Sequence, residues 1–133
     1  MEKIEHIGIA VKDPAAAIEL FSKLLGTTAY KTENVESEGV QTIFFKVGET
    51  KIELLAATQP DSPISRFIEK KGEGIHHIAF QVDNIQEAEK DFKEKGFEFA
   101  PGGIREGADN KIISFLHPRT TSGVLVEICQ DKK

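Results

Sequence analysis

The sequence has almost no cysteine, the residue that stabilises many secreted proteins through disulfides, and it has no long apolar segment of the kind that crosses a membrane. Among 133 residues there is one cysteine, Cys129, and no tryptophan. One cysteine cannot form an internal disulfide, as is usual in a reducing cytoplasm. No apolar run approaches the roughly 20 residues that a membrane-spanning helix needs. Residues 1–3 lead directly into a strand-like pattern, so we expect no signal or transit peptide, and we expect the protein to be cytoplasmic.

An excess of basic residues is also lacking. Lysine and arginine number 17 against 22 aspartate and glutamate residues, for a net charge of −5. A nucleic-acid or anionic membrane partner requires a basic surface that displaces counterions, so neither partner is expected. The length of 133 residues suits one domain with a hydrophobic core, and we expect a single domain over residues 1–133.

The chain contains an internal repeat. The segment His6–Val11 resembles His77–Val82, and each is followed by a helical pattern that ends at a glycine. Asp13-Pro14 precedes the first helical pattern, residues 15–25, and Asn84 precedes the second, residues 85–95; both aspartate and asparagine suit a helix N-cap. Further along, Lys51–Leu55 matches Leu125–Cys129, which places a glutamate near the end of each repeat.

The order of strand, helix and further strands therefore occurs twice. We predict an α+β fold in which two βαβββ modules, at about residues 1–58 and 74–131, form one cupped mixed sheet with helices on its outer face. The linker, residues 59–73, is predicted to carry a short helix capped by Asp61 or Ser62. The remaining predicted strands are residues 28–32, 39–47 and 50–57 in the first module, and 97–101 and 111–117 in the second.

Two histidines and two glutamates occupy matched positions in the repeat. Side chains alternate between the two faces of a strand, so the side chain of His6 points to one face and those of Ile7 and Ile9 point to the other. The same alternation separates His77 from its bulky apolar neighbours. It also separates Glu53 and Glu127 from theirs. All four are therefore predicted to point away from the helices, onto one concave surface.

This set of side chains predicts a metal site. A lone histidine or glutamate in a strand is usually a solvated or hydrogen-bonded residue, but recurrence at matched positions on one face is unexpected for such residues. Buried carboxylates also need a partner of opposite charge. Two imidazoles and two carboxylates suit Co²⁺, Mn²⁺, Fe²⁺, Ni²⁺ or Zn²⁺, and leave two octahedral positions open for a chelating substrate. We take His6, Glu53, His77 and Glu127 as the predicted ligands.

The remaining candidate side chains are expected to have structural roles. His76 lies by parity on the face opposite His77, and His117-Pro118 ends a strand at a turn. Cys129 has no base beside it and is expected to be a small buried hydrophobe.

The sequence resembles the vicinal oxygen chelate superfamily (the glyoxalase, bleomycin resistance and dioxygenase proteins) and, within it, the methylmalonyl-CoA epimerase family. The resemblance covers essentially the whole chain. The segments that carry it are Glu5–Val11, Lys51–Leu55, Asp61–Ile64, Gly74–Ala79, Phe115–Pro118 and Gly123–Glu127.

The resemblance implies a metal-dependent epimerase, in the usual case a homodimer, that interconverts (R)- and (S)-methylmalonyl-CoA, an acyl-CoA substrate. His6, His77 and Glu127 match metal ligands of the family, and Glu53 stands where some members carry glutamine. In one version of the family site a further, non-ligand glutamate follows the position of Gly39-Val40. Here Gln41-Thr42 provides no acid, which leaves the second acid/base group open.

The implied chemistry is removal of the C2 proton through a metal-chelated enediolate, with cobalt as the preferred metal and Mn, Ni, Fe or Zn as alternatives. Glu127 is the first candidate for one acid/base group, because a monodentate ligand keeps a free carboxylate oxygen. The other group is Glu53, a bound water or a residue elsewhere. The CoA tail requires basic or backbone N–H groups at the cavity mouth, which the sequence does not identify.

Three other functions are compatible with this fold. A glyoxalase-type isomerase (lactoylglutathione lyase) would have similar metal ligands, although the Asp-Ser-Pro-Ile and His-Pro segments favour the epimerase. A ring-cleaving dioxygenase is disfavoured, because it uses two histidines and one carboxylate. A metal-free protein that sequesters a small molecule has no reason to keep four ligands on one face.

Overall fold

The computed structural model describes residues 1–132, which divide into two compact units. The N-terminal unit is His6–His76, and the C-terminal unit consists of Met1–Glu5 together with the chain from His77 onward. Each unit contains one predicted βαβββ module, so the α+β class and the repeated element order are confirmed. Within the described residues, no helix is long and apolar enough to cross a membrane.

The N-terminal unit contains four strands in the order β2-β3-β4-β1. Strands β1 and β4 are parallel, whereas β3 pairs antiparallel with both β2 and β4. The strands and helices are β1 (Lys3–Ala10, which starts in the C-terminal unit), α1 (Pro14–Leu25), β2 (Lys31–Val35), β3 (Val40–Val47), β4 (Thr50–Ala57) and α2 (Pro63–Lys71). A 3₁₀ turn, Glu36–Glu38, connects β2 to β3.

The C-terminal unit repeats this arrangement with the order β5-β8-β7-β6. Strands β5 and β8 are parallel, and β7 pairs antiparallel with β8 and β6. The elements are β5 (Gly74–Gln81, whose first residues belong to the N-terminal unit), α3 (Ile85–Glu94), β6 (Arg105–Glu106), β7 (Lys111–Leu116) and β8 (Val126–Asp131).

The predicted helix caps are present. The side chains of Asp13 and Asn84 accept hydrogen bonds from the backbone N–H groups of Ala16 and Glu87, at 3.3 and 3.0 Å. Ser62, rather than Asp61, caps the linker helix α2. These caps satisfy backbone donors at the first turn of each helix, typically contributing about 1 kcal/mol.

The two faces of the N-terminal sheet carry different helices. One face has Ile43, Phe45 and Leu54 at its centre and packs against α1 through Ile18 and Phe21. On the other face, a second cluster joins Ala10 of β1 and Leu55 of β4 to Ile64 and Phe67 of α2. The repeat helix α1 thus lies on the predicted apolar face, and the linker helix α2 lies on the opposite face.

Two predicted strands have different bounds. The strand predicted at residues 28–32 is instead Lys31–Val35. All five of its residues pair with β3, and this pairing holds the polar Glu33 and Asn34 in a strand that their own preferences disfavour. Residues 97–101 do not form a regular strand; Phe99 makes an isolated bridge to Leu116. Pro101 has no N–H to donate, and Gly102 and Gly103 at φ +114° and +59° turn the chain away from the ladder.

Candidate functional site

In the N-terminal unit, a histidine and a glutamate on neighbouring strands are in contact. His6 is on β1 and Glu53 on β4, where Gly8 is the register partner of Glu53. His6 Nδ1 lies 3.1 Å from Glu53 Oε2, and the two residues are 5% and 4% exposed. Glycine leaves room beside the carboxylate, because it has no side chain. A buried imidazole–carboxylate pair therefore lies on the face opposite α1.

The C-terminal unit contains the same pair at the equivalent place. His77 is on β5 and Glu127 on β8, where Ala79 is the register partner of Glu127. His77 Nε2 lies 3.1 Å from Glu127 Oε1, with the two residues 5% and 4% exposed. A small residue again stands opposite the glutamate. The parity prediction within each repeat is confirmed.

The chemistry of each pair suits a divalent cation. Metal–nitrogen and metal–oxygen bonds to histidine and carboxylate are about 2.0–2.2 Å long, so two such ligands at a right angle are about 3.0 Å apart. The 3.1 Å separations match this spacing. A carboxylate this well buried also requires a cation or hydrogen-bond donors, because an isolated buried charge is strongly unfavourable. The donor set of each pair therefore fits a metal ion.

The imidazole of His77 packs against an aromatic ring. The ring of Phe115 on β7 packs edge-to-face against the imidazole, with centroids 5.5 Å apart. The guanidinium of Arg105 lies 5.5 Å from the centroid of the Phe115 ring. Phe115 is also the register partner of Glu127, so it lies beside both members of the pair. A ring packed against the imidazole restricts the orientations that the imidazole can adopt.

Strand β3 supplies no acid to the site face of the N-terminal unit. Register with β4 places Phe44 opposite Glu53 and Thr42 opposite Leu55. Thr42 is 2% exposed and is therefore part of this buried face. Strand β3 therefore presents no carboxylate on this face.

The C-terminal unit also contains a buried ion pair that sequence patterns did not indicate. Lys111 Nζ on β7 lies 3.7 Å from Glu5 Oε2, and these residues are 8% and 1% exposed. Lys111 also forms an ion pair with Asp131 and lies 3.5 Å from the side-chain oxygen of Gln81. The pair joins residues 106 positions apart, so neither local spacing nor the repeat indicates it. The pairing of β7 with β8 places Lys111 opposite Asp131 but does not place Glu5, so no sequence signal finds this ion pair.

The remaining histidines and the cysteine have structural surroundings. His117 Nδ1 accepts a hydrogen bond from the N–H of Arg119 at 3.1 Å and caps a 3₁₀ turn, as expected for a turn residue. Cys129 is fully buried. His76 packs edge-to-face on Phe67 of α2, with ring centroids 4.9 Å apart.

Comparison with known proteins identifies relatives over nearly the whole chain. The family model described as the Glyoxalase/Bleomycin resistance protein/Dioxygenase superfamily matches residues 5–115. The mitochondrial methylmalonyl-CoA epimerase of Homo sapiens is 38% identical over 129 residues, which are 96% of this chain and 73% of that protein. The ethylmalonyl-CoA/methylmalonyl-CoA epimerase of Cereibacter sphaeroides is 38% identical over 96% of this chain and 97% of its own length.

A solved structure shares the fold. A variant methylmalonyl-CoA epimerase of Streptomyces coelicolor, in complex with 2-nitronate-propionyl-CoA, superposes with a TM-score of 0.93. It is 33% identical, and the match covers 98% of this chain and 95% of that one.

Proposed function

Because the chain belongs to the Glyoxalase/Bleomycin resistance protein/Dioxygenase superfamily, we propose that it is a metal-dependent epimerase that interconverts (R)- and (S)-methylmalonyl-CoA. The observation that carries this proposal is the buried histidine–glutamate pair present at the same register position in both repeats. The similarity to methylmalonyl-CoA epimerases supports the choice of substrate.

We propose that the two pairs, His6 with Glu53 and His77 with Glu127, together hold one divalent cation in a single-domain protein, with Co²⁺ the preferred ion. Four facts support this set: the donor types, the burial, the matched positions, and the spacing of about 3 Å within each pair. Two glutamates balance the double positive charge of the ion. A neutral four-ligand site leaves positions open for a substrate, unlike closed structural sites.

Epimerisation at C2 requires a proton to leave from one face of the carbon and return from the other. When bound, a divalent cation supplies Lewis-acid stabilisation of the negative charge that develops on the substrate oxygens. Glu127 accepts the C2 proton on one face through its carboxylate. The ring of Phe115 beside His77 and Glu127 keeps bulk water away from this carboxylate, which preserves its basicity toward carbon.

Glu53 is the group that exchanges the proton on the other face. Strand β3 offers Phe44 and Thr42 on the site side of the N-terminal unit, and neither can carry a proton to carbon at neutral pH. Glu53 is buried and carries a carboxylate. A glutamate at residue 53, where some family members carry glutamine, thus compensates for the neutral residue at position 42.

The experiment that tests this function is exchange of the C2 proton with solvent. Protein loaded with Co²⁺ is incubated with methylmalonyl-CoA in D₂O, and mass spectrometry measures deuterium at C2. We expect incorporation from either pure epimer, and loss of incorporation after chelation. Folded protein that catalyses no exchange with any first-row divalent ion would contradict the proposal.

Two further properties complete the proposal. We expect the protein to act in the cytoplasm, where its single buried cysteine stays reduced. We also expect a homodimer, because the resemblance to the superfamily implies one.

A further inference from the structure

A basic cavity lies along α2 in the N-terminal unit. Its volume is about 540 Å³, and it opens widely to solvent. It is lined by Pro63, Arg66, Phe67, Lys70, Lys71 and His76, together with the acidic Glu69. Three cations against one carboxylate make this surface positive, although the whole chain has a net charge of −5. Such a local reversal of charge favours an anionic ligand.

Helix α2, which lines the cavity, packs on the same face of the N-terminal sheet that carries the His6–Glu53 pair. Ile64 of α2 packs with Leu55 of β4 and Ala10 of β1. Leu55 follows Glu53 by two positions on one strand, so the two side chains share a face and are separated by about 6.6 Å along it. Helix α2 therefore borders the surface that carries the proposed metal ligands.

The cavity also offers an aromatic wall. The rings of Phe67 and His76 meet edge-to-face with centroids 4.9 Å apart, and Lys71 Nζ lies 5.9 Å from the centroid of Phe67. Phe67 is partly exposed, while Arg66, Lys70 and Lys71 are exposed. Partly exposed aromatic faces beside cations are typical of sites that stack a base and bind phosphates. Arginine adds bidentate recognition of phosphate oxygens.

We propose that this cavity binds the phosphorylated nucleotide end of an acyl-CoA, with Arg66, Lys70 and Lys71 on the phosphates and Phe67 against the base. The inference rests on the proposed function, because it assigns the far end of the same substrate. The nucleotide of CoA carries a diphosphate and a 3′-phosphate, and the three cations complement this charge. The acyl end then extends along the shared face toward Glu53.

The test is ligand binding by calorimetry, which requires no turnover. Wild-type protein and the triple variant R66Q/K70Q/K71Q are titrated with CoA, with pantetheine, which lacks all phosphates, and with 3′,5′-ADP. We expect the triple variant to bind CoA at least tenfold more weakly and pantetheine equally well. The matched control is K23Q/K93Q/K95Q, which removes three exposed lysines of α1 and of the α3 C-terminus, 77%, 59% and 60% exposed; it should leave CoA affinity within about twofold.

Several outcomes would overturn the inference. They are unchanged CoA affinity in R66Q/K70Q/K71Q, an equal loss in the control variant, or an equal loss of pantetheine binding. If 3′,5′-ADP binds wild-type protein as tightly as CoA does, the cavity recognises free nucleotides rather than an acyl-CoA. The single variant Arg66→Gln repeats the test should the triple variant not fold. Deuterium exchange into methylmalonyl-pantetheine by wild-type protein tests the proposed function separately, because that substrate has no phosphates.

Discussion

Ala79 lies directly opposite Glu127 across the parallel strands β5 and β8. In the other repeat, Gly8 takes the same position relative to Glu53 across β1 and β4. A large side chain at either position would occupy the space beside the carboxylate. Both repeats thus have a glutamate, a small residue directly opposite it, and a histidine two positions before that small residue. The small residue leaves room for a ligand of the carboxylate.

The neighbouring histidines of β5 should differ in their effect on metal binding. His77 contacts Glu127, whereas His76 packs on Phe67. We expect His77→Ala to abolish binding of Co²⁺, because it removes a nitrogen ligand, and His76→Ala to retain it within about threefold. Calorimetry and the visible absorption of bound Co²⁺ measure both. Equal losses in the two variants would show that the assignment of His77 as the ligand is wrong.

Replacing each glutamate by glutamine separates proton transfer from metal binding. Glutamine keeps a carbonyl oxygen for the metal but does not accept a proton from carbon. We therefore expect Glu127→Gln and Glu53→Gln each to reduce epimerisation by about 10²–10⁴-fold while retaining bound metal. Epimerisation is followed by chiral analysis of the product, and metal content by elemental analysis.

In the proposed mechanism the two glutamates act on opposite faces of C2, so each variant should show a distinct pattern. One variant should still exchange the C2 proton of the (R) epimer, and the other that of the (S) epimer. Adding Thr42→Glu to Glu53→Gln returns a carboxylate to the same face of the N-terminal sheet and should partly restore epimerisation. Full activity in Glu53→Gln alone would refute the role proposed for Glu53.

The strand faces could be predicted because they depend on local alternation. Glu53 and Leu55 share one face and Ile52 and Leu54 the other, and this is visible in the order of residues along β4. The helix caps Asp13 and Asn84 could be predicted for the same reason, because each side chain bonds to a backbone N–H only three residues further along the chain. Such features need no knowledge of which strands pair.

Features that depend on tertiary pairing were not predictable. The strand Lys31–Val35 contains Glu33 and Asn34, whose intrinsic preference is against strand, and it forms because β3 lies beside it. The contact between Glu5 and Lys111 likewise exists only when the start of β1 and strand β7 come together in the C-terminal unit. Helix α2 lies on its face of the sheet because Ile64 packs there against residues of β1 and β4. The spacing of apolar residues within α2 does not say which face of the sheet the helix covers.

Removal of metal should destabilise the protein, because the carboxylates of Glu53 and Glu127 then lose a counter-charge in a buried environment. An ion that binds the folded state at 100 times its dissociation constant adds about 2.7 kcal/mol to the free energy of unfolding. We expect chelation to lower Tm by several degrees and Co²⁺ to restore it. In His77→Ala, Co²⁺ should produce no such rise, and a rise equal to that of the wild type would contradict the ligand assignment.

The buried pair of Lys111 and Glu5 should contribute to folding stability. Removing one partner of a buried ion pair leaves an uncompensated charge, which typically costs about 3–5 kcal/mol. We expect Lys111→Met to lower the free energy of unfolding by this amount, because Glu5 is 1% exposed and Asp131 cannot replace the lost cation. Urea denaturation measures the change.

The matched control is Lys23→Met, which breaks the exposed pair with Glu19 and should cost less than about 1 kcal/mol. The double variant Glu5→Gln/Lys111→Met leaves a neutral amide instead of a buried carboxylate that has lost this cation, so it should recover part of the lost stability. If Lys111→Met costs no more than Lys23→Met, the pair is not sequestered from water and its charge is screened. If the double variant is less stable than Lys111→Met, the destabilisation comes from lost packing of the lysine stem rather than from the charge of Glu5.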